Sequence, residues 1–389
     1  MELRIGTVSM QMQQSTSLAR RWPGRARAVI LAVLVLAAVL NRPVGAVDNG
    51  GLGPLSIRNQ FPVTLAFLTY TPDAPLTLPE STFQFRYQYA LTNTFINTQS
   101  PQAFSSTVIQ AADVARPGGL TEADFPASGY GLYIDVEAAR HLFRFDYGLT
   151  DSLEVGLELA WVTFGGGFLD DRIEGVEKAF GGLNEDRLFS DQDRFDFYVI
   201  RDGTFLRRSS QAFSQEPLDP VVNLKWNLGE GGDVLPALSI KLSYKAPLES
   251  NPAGARQLIS SGRADFGYYF LFSKAVGDVV GHFQVGTTEL DVAADTFADR
   301  LKHRMFGLEF RIDMENSLVL QSVTQTSIFI KSDDPTTTDF DISRQTDVLV
   351  LGYKRIAKGF LFELGMIEDY NQQRNESDIT FFIELGWQW

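Results

Sequence analysis

Residues Thr82–Leu91 read TFQFRYQYAL, in which Phe83, Phe85, Tyr87, Tyr89 and Leu91 alternate with Gln84, Arg86, Gln88 and Ala90. A period of two puts these sets on opposite faces only if the backbone is a strand. The pattern returns with Leu153, Val155, Leu157, Leu159 and Trp161 opposite Glu154, Gly156, Glu158 and Ala160. It appears again around Lys241, where Leu238, Ile240, Leu242 and Tyr244 oppose Ser239 and Ser243, and around Glu309, flanked by Phe306, Leu308 and Phe310. Phe360, Phe362, Leu364 and Met366 oppose Glu363 and Gly365, and the final stretch sets Phe381, Ile383, Leu385, Trp387 and Trp389 against Glu384, Gly386 and Gln388.

Such stretches predict about twelve strands, at 81–92, 131–149, 153–164, 219–229, 235–246, 262–275, 278–290, 300–313, 316–328, 344–356, 358–370 and 376–389. The joins GLTDSL, LGEGGDV, KAVGDV, DMENS and KRIAKG are short, and they alternate with joins that are mostly longer, at 93–130, 165–218, 247–261, 291–299, 329–343 and 371–375. Short and long joins in strict alternation describe an antiparallel meander with one confined rim and one free rim.

A soluble sandwich could also bury one face of each strand. Here the apolar face is heavily aromatic, and the opposite face carries Gln, Ser, Gly and charges of both signs. The strands are commonly ten residues or more, long enough to cross a bilayer when tilted. The expectation is therefore an all-β, transmembrane, antiparallel up-and-down β-barrel of the outer-membrane type, spanning 81–389. Closure removes the unpaired strand edges that lipid would not tolerate. A mean hydropathy of −0.07 agrees with strands that average a lipid-facing and a lumen-facing set.

The start of the chain fits export. Arg20, Arg21, Arg25 and Arg27 precede a 13-residue apolar run, AVILAVLVLAAVL (28–40), and small residues at Val44 and Ala46 follow. That order predicts a cleaved signal peptide over 1–46, and the run is too short to span a bilayer as a helix, which takes about 20 residues. Its removal takes away six Arg and one Glu, deepening the net charge from −14 to −19. An acidic chain without a basic cluster argues against nucleic acid as a partner. The partners expected are outer-membrane lipid and the barrel assembly machinery of a Gram-negative bacterium. The absence of cysteine excludes thiolate metal sites and cysteine nucleophiles. Residues 47–80, punctuated by Gly and Pro around VTLAFLTY, are expected to be either a periplasmic lead or a partial plug.

If the aromatic faces meet lipid, the lumen receives Gln84, Arg86, Gln88, Arg144, Asp146, Glu154, Glu158, Lys225, Lys241, Arg263, Asp265, Glu309, Arg311, Glu363 and Glu384. Both signs occur, so these residues either pair into a filling network or line a water path. Trp387 and Trp389 are expected to anchor in the membrane interface and to serve as an assembly signal, with the last strand closing on the first near Phe83–Leu91. Leu169, Ile173, Val176 and Phe180 lie on one face of a helix expected over 169–181 in the long loop 165–218, read as a cover over the mouth.

No catalytic, metal-binding or cofactor-binding residue stands out. His141, His282 and His303 fall in separate strands, and none has a serine two residues on, the spacing of barrel phospholipases. Acid pairs such as Asp170 with Asp171 lack calcium-loop spacing. The expected role is a passive channel or transporter for small solutes. The alternatives are a structural or surface-interaction barrel without an open pore, and a membrane-embedded lipid hydrolase, which a Ser and His brought together by folding would favour.

GPLSIRNQFP (53–62), RFDYGLTDSLEVGLEL (144–159) and GGGFLDDRIEGVEKAFGG (165–182), in that order around the aromatic first strand, resemble a bacterial group catalogued as domain of unknown function 3187. The resemblance implies an exported outer-membrane barrel. It carries no catalytic residues with it.

Overall fold

In the computed structural model the residues described are 51–98, 109, 113–114, 119–167, 169, 194–293, 296–331, 342–369 and 375–389. The strands, in chain order, are β1 (Phe83–Asn97), β2 (Tyr130–Thr150), β3 (Leu153–Gly165), β4 (Asp196–Arg201), β5 (Thr204–Ser209), β6 (Phe213–Pro217), β7 (Val221–Gly229) and β8 (Ala237–Lys245), followed by β9 (Asp265–Val276), β10 (Val279–Leu290), β11 (Arg300–Arg311), β12 (Asn316–Gln325), β13 (Thr346–Ala357), β14 (Phe360–Asp369) and β15 (Ile379–Gln388). β1–β3 and β7–β15 form a closed antiparallel barrel of twelve strands, with almost no helix among the described residues. β15 closes on β1 in the register Gln84↔Gln388 through Asn93↔Ile379, and the Trp389 and Phe83 backbones exchange two hydrogen bonds of 2.9 Å. The twelve expected strands correspond to these twelve, with ends moved by a few residues. β1 runs furthest past its expected end, to Asn97.

The alternation follows the pleat. Along β15 the burial switches at each residue, with Phe382 and Glu384 buried and Phe381 and Trp387 exposed. Outward-facing Trp226 and Phe306 are 54% and 56% exposed, and Tyr244, Phe270 and Phe283 continue the same apolar surface. A soluble monomer rarely leaves so large an apolar surface open. The short turn between β13 and β14 uses the backbone that a type I′ two-residue hairpin requires: Lys358 and Gly359 have φ of 51° and 79°.

The long join 165–218 adds three strands that period-two reading did not separate from loop. β4 pairs with the upper part of β2 and with β5, and β6 pairs with β3. The helix expected over 169–181 and the signal peptide expected over 1–46 lie outside the described residues, apart from Leu169.

Residues 51–80 join no strand ladder, yet 53–70 are buried throughout. They form a U inside the barrel. One limb starts at the short-turn rim, where the Glu309 carboxylate accepts the backbone N–H groups of Leu52 and Gly53 at 3.0 and 3.1 Å. The bend is a single 3-10 turn, Pro62–Ala66, at the long-loop end, where Lys245 donates to the Ala66 carbonyl and Asp265 accepts from the Leu68 amide at 2.8 Å each. The second limb returns to the short-turn rim, with the Leu78 amide on Glu154 (2.8 Å) and Thr77 on the Asp151 carbonyl (2.6 Å).

Candidate functional site

The lumen has two halves of different chemistry, and the change can be followed along single strands. On β2 the lumen-facing residues run Tyr130, Leu132, Ile134, Val136 and Ala138 at the long-loop end, then Arg140, Arg144 and Asp146 towards the short turns. On β3 they run Phe164 and Val162, then Glu158 and Glu154. The apolar half closes around the bend of the inner segment: Phe61, Val63, Leu65 and Phe67 pack with Tyr130, Phe164, Phe197, Phe297 and Phe329 in one buried cluster. Phe67 meets Phe297 edge-on at 5.4 Å, and Tyr130 meets Phe329 at 5.0 Å, spacings at which aromatic pairs attract beyond their area burial.

The polar half is a network centred on Asp73. Its carboxylate accepts from Arg144 at 2.7 Å and Lys241 at 3.0 Å, and lies 3.6 Å from Lys225. Its backbone amide donates to Gln284 at 3.3 Å, and Gln284 donates back to the Asp73 carbonyl at 2.6 Å. Burial pushes this carboxyl up, but Arg144, then Lys225 and Lys241, outweigh it and hold it well below the usual carboxylate range. Around it Arg86 binds Asp146 (2.8 Å) and faces Glu384 (3.6 Å), Arg144 also binds Asp146 (2.8 Å), and Lys225 binds Glu154 (3.0 Å). Removing one partner from a buried ion pair of this kind costs about 3–5 kcal/mol, because the other charge is left without a counter-ion.

The first limb is held by hydrogen bonds from the opposite wall. Gln321 accepts the Leu55 amide (3.0 Å), Glu363 accepts the Ser56 amide (3.1 Å), and Lys354 donates to the Pro54 carbonyl (3.0 Å) while binding Glu363 (2.7 Å). Gln88 donates both to the Ser56 carbonyl (2.9 Å) and to Glu384 (2.7 Å). Gly53 has φ +88°, and a Cβ there would come within 2.9 Å of the Ala74 Cβ on the returning limb. Its glycine therefore permits both the turn and the close approach of the two limbs.

Of the residues assigned to the lumen from sequence, Arg86, Gln88, Arg144, Asp146, Glu154, Lys225, Lys241, Asp265, Glu309, Arg311, Glu363 and Glu384 are buried on the inner face. Gln84 is half-buried near the rim. Glu158 is also half-buried and accepts from Asn223 at 2.9 Å. Arg263 is a correction: it precedes β9 instead of lying in it, and is exposed in the loop with its guanidinium on Asp291 at 2.9 Å. Trp387 and Trp389 are exposed on the outer face, and Trp389 packs on Phe83 at 5.0 Å.

Two features were not found from the sequence. One is Asp73, the single charged residue between Arg58 and Glu80, a signal that goes unnoticed when only periodic stretches are weighed. The other is a buried row on β9, β10 and β11: Ser273 shares a hydrogen bond with His282 Nδ1 (2.7 Å), and His282 Nε2 lies 3.1 Å from Glu309. Ser273 and His282 are direct register partners across the β9–β10 pair, so folding supplies the contact that spacing along the chain does not.

The family model described as protein of unknown function (DUF3187) matches residues 125–389. No curated protein matches the chain. Among solved structures, the COG4313 outer membrane channel from Pseudomonas putida F1 is similar over 82% of this chain and 100% of its own, at 10% identity and a TM-score of 0.48. The P. putida toluene transporter TodX is similar over 88% and 99%, at 11% identity and 0.35, and the CymD monoaromatic hydrocarbon channel over 88% and 98%, at 9% identity and 0.33.

Proposed function

The chain belongs to the DUF3187 family, and from its barrel we propose that it is an outer-membrane channel for small solutes whose lumen is closed by its own segment 51–80. One observation carries this reading. The filling is not part of the wall: residues 51–80 share no strand ladder, and the lumen-facing Glu309, Gln321, Glu363, Lys241 and Lys245 place hydrogen bonds or ion pairs on that segment. A barrel serving only as a scaffold can be filled by side chains of its own wall. A separate inserted segment can leave without breaking the barrel.

The outer apolar surface supports placement in a bilayer, and the basic and apolar start of the chain supports export with loss of 1–46. Outer-membrane lipid and the barrel assembly machinery are its partners in this reading. The Ser273, His282 and Glu309 row favours a second reading, a hydrolase, since it has the order of nucleophile, base and orienting acid. The trio is fully buried, and Glu309 is occupied by Leu52, Gly53 and Ser317, which fits a wall network better.

Planar-bilayer conductance of the full chain and of a variant lacking 51–78 tests the channel. The full chain is expected to show rare, small openings and the variant a steady open level. If both proteins migrate as folded barrels before heating and neither conducts, the barrel is a closed scaffold instead.

A further inference from the structure

The direct ion pairs around one group of wall cations do not close within the wall. Arg86, Arg144, Lys225 and Lys241 stand together on β1, β2, β7 and β8, and the wall carboxylates paired with them are Asp146, Glu154 and Glu384. The fourth carboxylate is Asp73, which the inner segment brings in. Among the described residues the ion pairs give Lys241 no carboxylate other than Asp73. When the segment leaves, Lys241 loses this ion-pair partner, and Glu158, which acts on Arg144 and Lys241 without an ion-pair contact, is the wall carboxylate left near it.

We infer that Arg144, Lys225 and Lys241 form a binding site for the carboxylate of an organic acid, and that Asp73 is a tethered stand-in occupying it while the channel is closed. This rests on the channel reading above. The Asp73 contacts are those a carboxylate ligand needs, with a guanidinium at 2.7 Å and an ammonium at 3.0 Å on one oxygen, and a second ammonium 3.6 Å from the other. Beyond the site towards the long loops the lumen wall turns apolar, through Ala138, Val136 and Ile134 on β2 and Val162 on β3. The acid that fits has an apolar body behind its carboxylate. Solute and Asp73 compete for the same cations, so arrival of the solute favours release of the segment. The coupling follows from shared partners and needs no long-range relay.

Two measurements on the full chain test this with potassium benzoate as probe and benzamide as its uncharged counterpart. In the first, Thr69→Cys, in a chain that has no other cysteine, puts a thiol at a site where Thr69 is buried on the inner segment. Benzoate is expected to raise its rate of maleimide labelling about tenfold, within the usual range of coupling between sites, and benzamide is expected to leave it unchanged. The second uses Asp73→Asn in planar bilayers. It is expected to conduct with anion preference, and benzoate but not benzamide should block its chloride current. Adding Lys241→Met should abolish the block while the conductance persists. Equal effects of benzoate and benzamide on labelling, or an Asp73→Asn channel without anion preference or benzoate block, would overturn the carboxylate site and leave the channel standing. Folded proteins that never conduct, with or without residues 51–78, would remove the channel and this site with it. If Asp73→Asn does not fold, the labelling experiment, which leaves the network intact, decides alone.

Discussion

At the scale of single residues, Asp73 and Glu309 bind the inner segment to the wall in opposite senses. Asp73 reaches out from the segment to wall cations, whereas Glu309 reaches in from the wall to backbone amides of the segment. The pH behaviour of the first follows from its environment. A carboxyl whose folded value is depressed contributes stability that is present above its ordinary range and is lost as pH falls through the folded value. For Asp73 that value lies well below 3.8. The full chain is therefore expected to stay closed in bilayers from pH 8 down to about 4. Opening near pH 5.5 would show that another group governs the seat. Ser273 gives a second residue-scale test. Buried and register-paired with His282, it is expected to resist a fluorophosphonate probe that labels activated serines, and labelling abolished by Ser273→Ala would establish the hydrolase. Parity along the strands located Arg144, Lys241 and Glu309 on the inner face from sequence alone. The same parity misplaced Arg263, because it says which face a residue takes but not where the strand starts. Asp73 escaped for a different reason: it sits among Pro72, Ala74 and Pro75 with no period, and its partners come from β2, β7 and β8.

At the scale of elements, the twelve wall strands were legible because each keeps one face apolar, and that period survives whatever the rest of the chain does. β4, β5 and β6 were not legible. β4, DFYVIR, is buried through its first five residues, so it carries no alternation to read, and its partner is the upper part of β2. The last strand offers a separable test. Trp389 is 68% exposed, while its backbone bonds to Phe83 do not depend on the side chain. Trp389→Asp at the membrane rim costs about 0–1 kcal/mol in the assembled barrel. It is therefore expected to lower the yield of inserted barrel in the cell, yet to leave heat-modifiable migration of the inserted fraction unchanged. Wild-type yields for that variant would show that the terminal aromatic is no assembly signal.

At the scale of the whole molecule, the sequence left open whether residues 47–80 were a lead or a plug, and composition could not decide, because Gly, Pro and apolar residues suit either. What sets the inner path of 51–80 is the wall: inward-facing carboxylates and amides spread around the barrel keep hydrogen-bonding capacity beyond their strand partners and direct it at the segment's backbone. The resulting path is a U whose two limbs both end at the short-turn rim. This has a mechanical consequence. A pull on Gly51 along the barrel axis meets the anchors in turn, first Glu309 at Leu52 and Gly53, then Gln321 at Leu55 and Glu363 at Ser56, before it reaches the aromatic bend and finally Asp73. The segment would unzip one contact at a time rather than shear as a block. A modest force applied on that side suffices where pushing from the long-loop side would have to break every contact together.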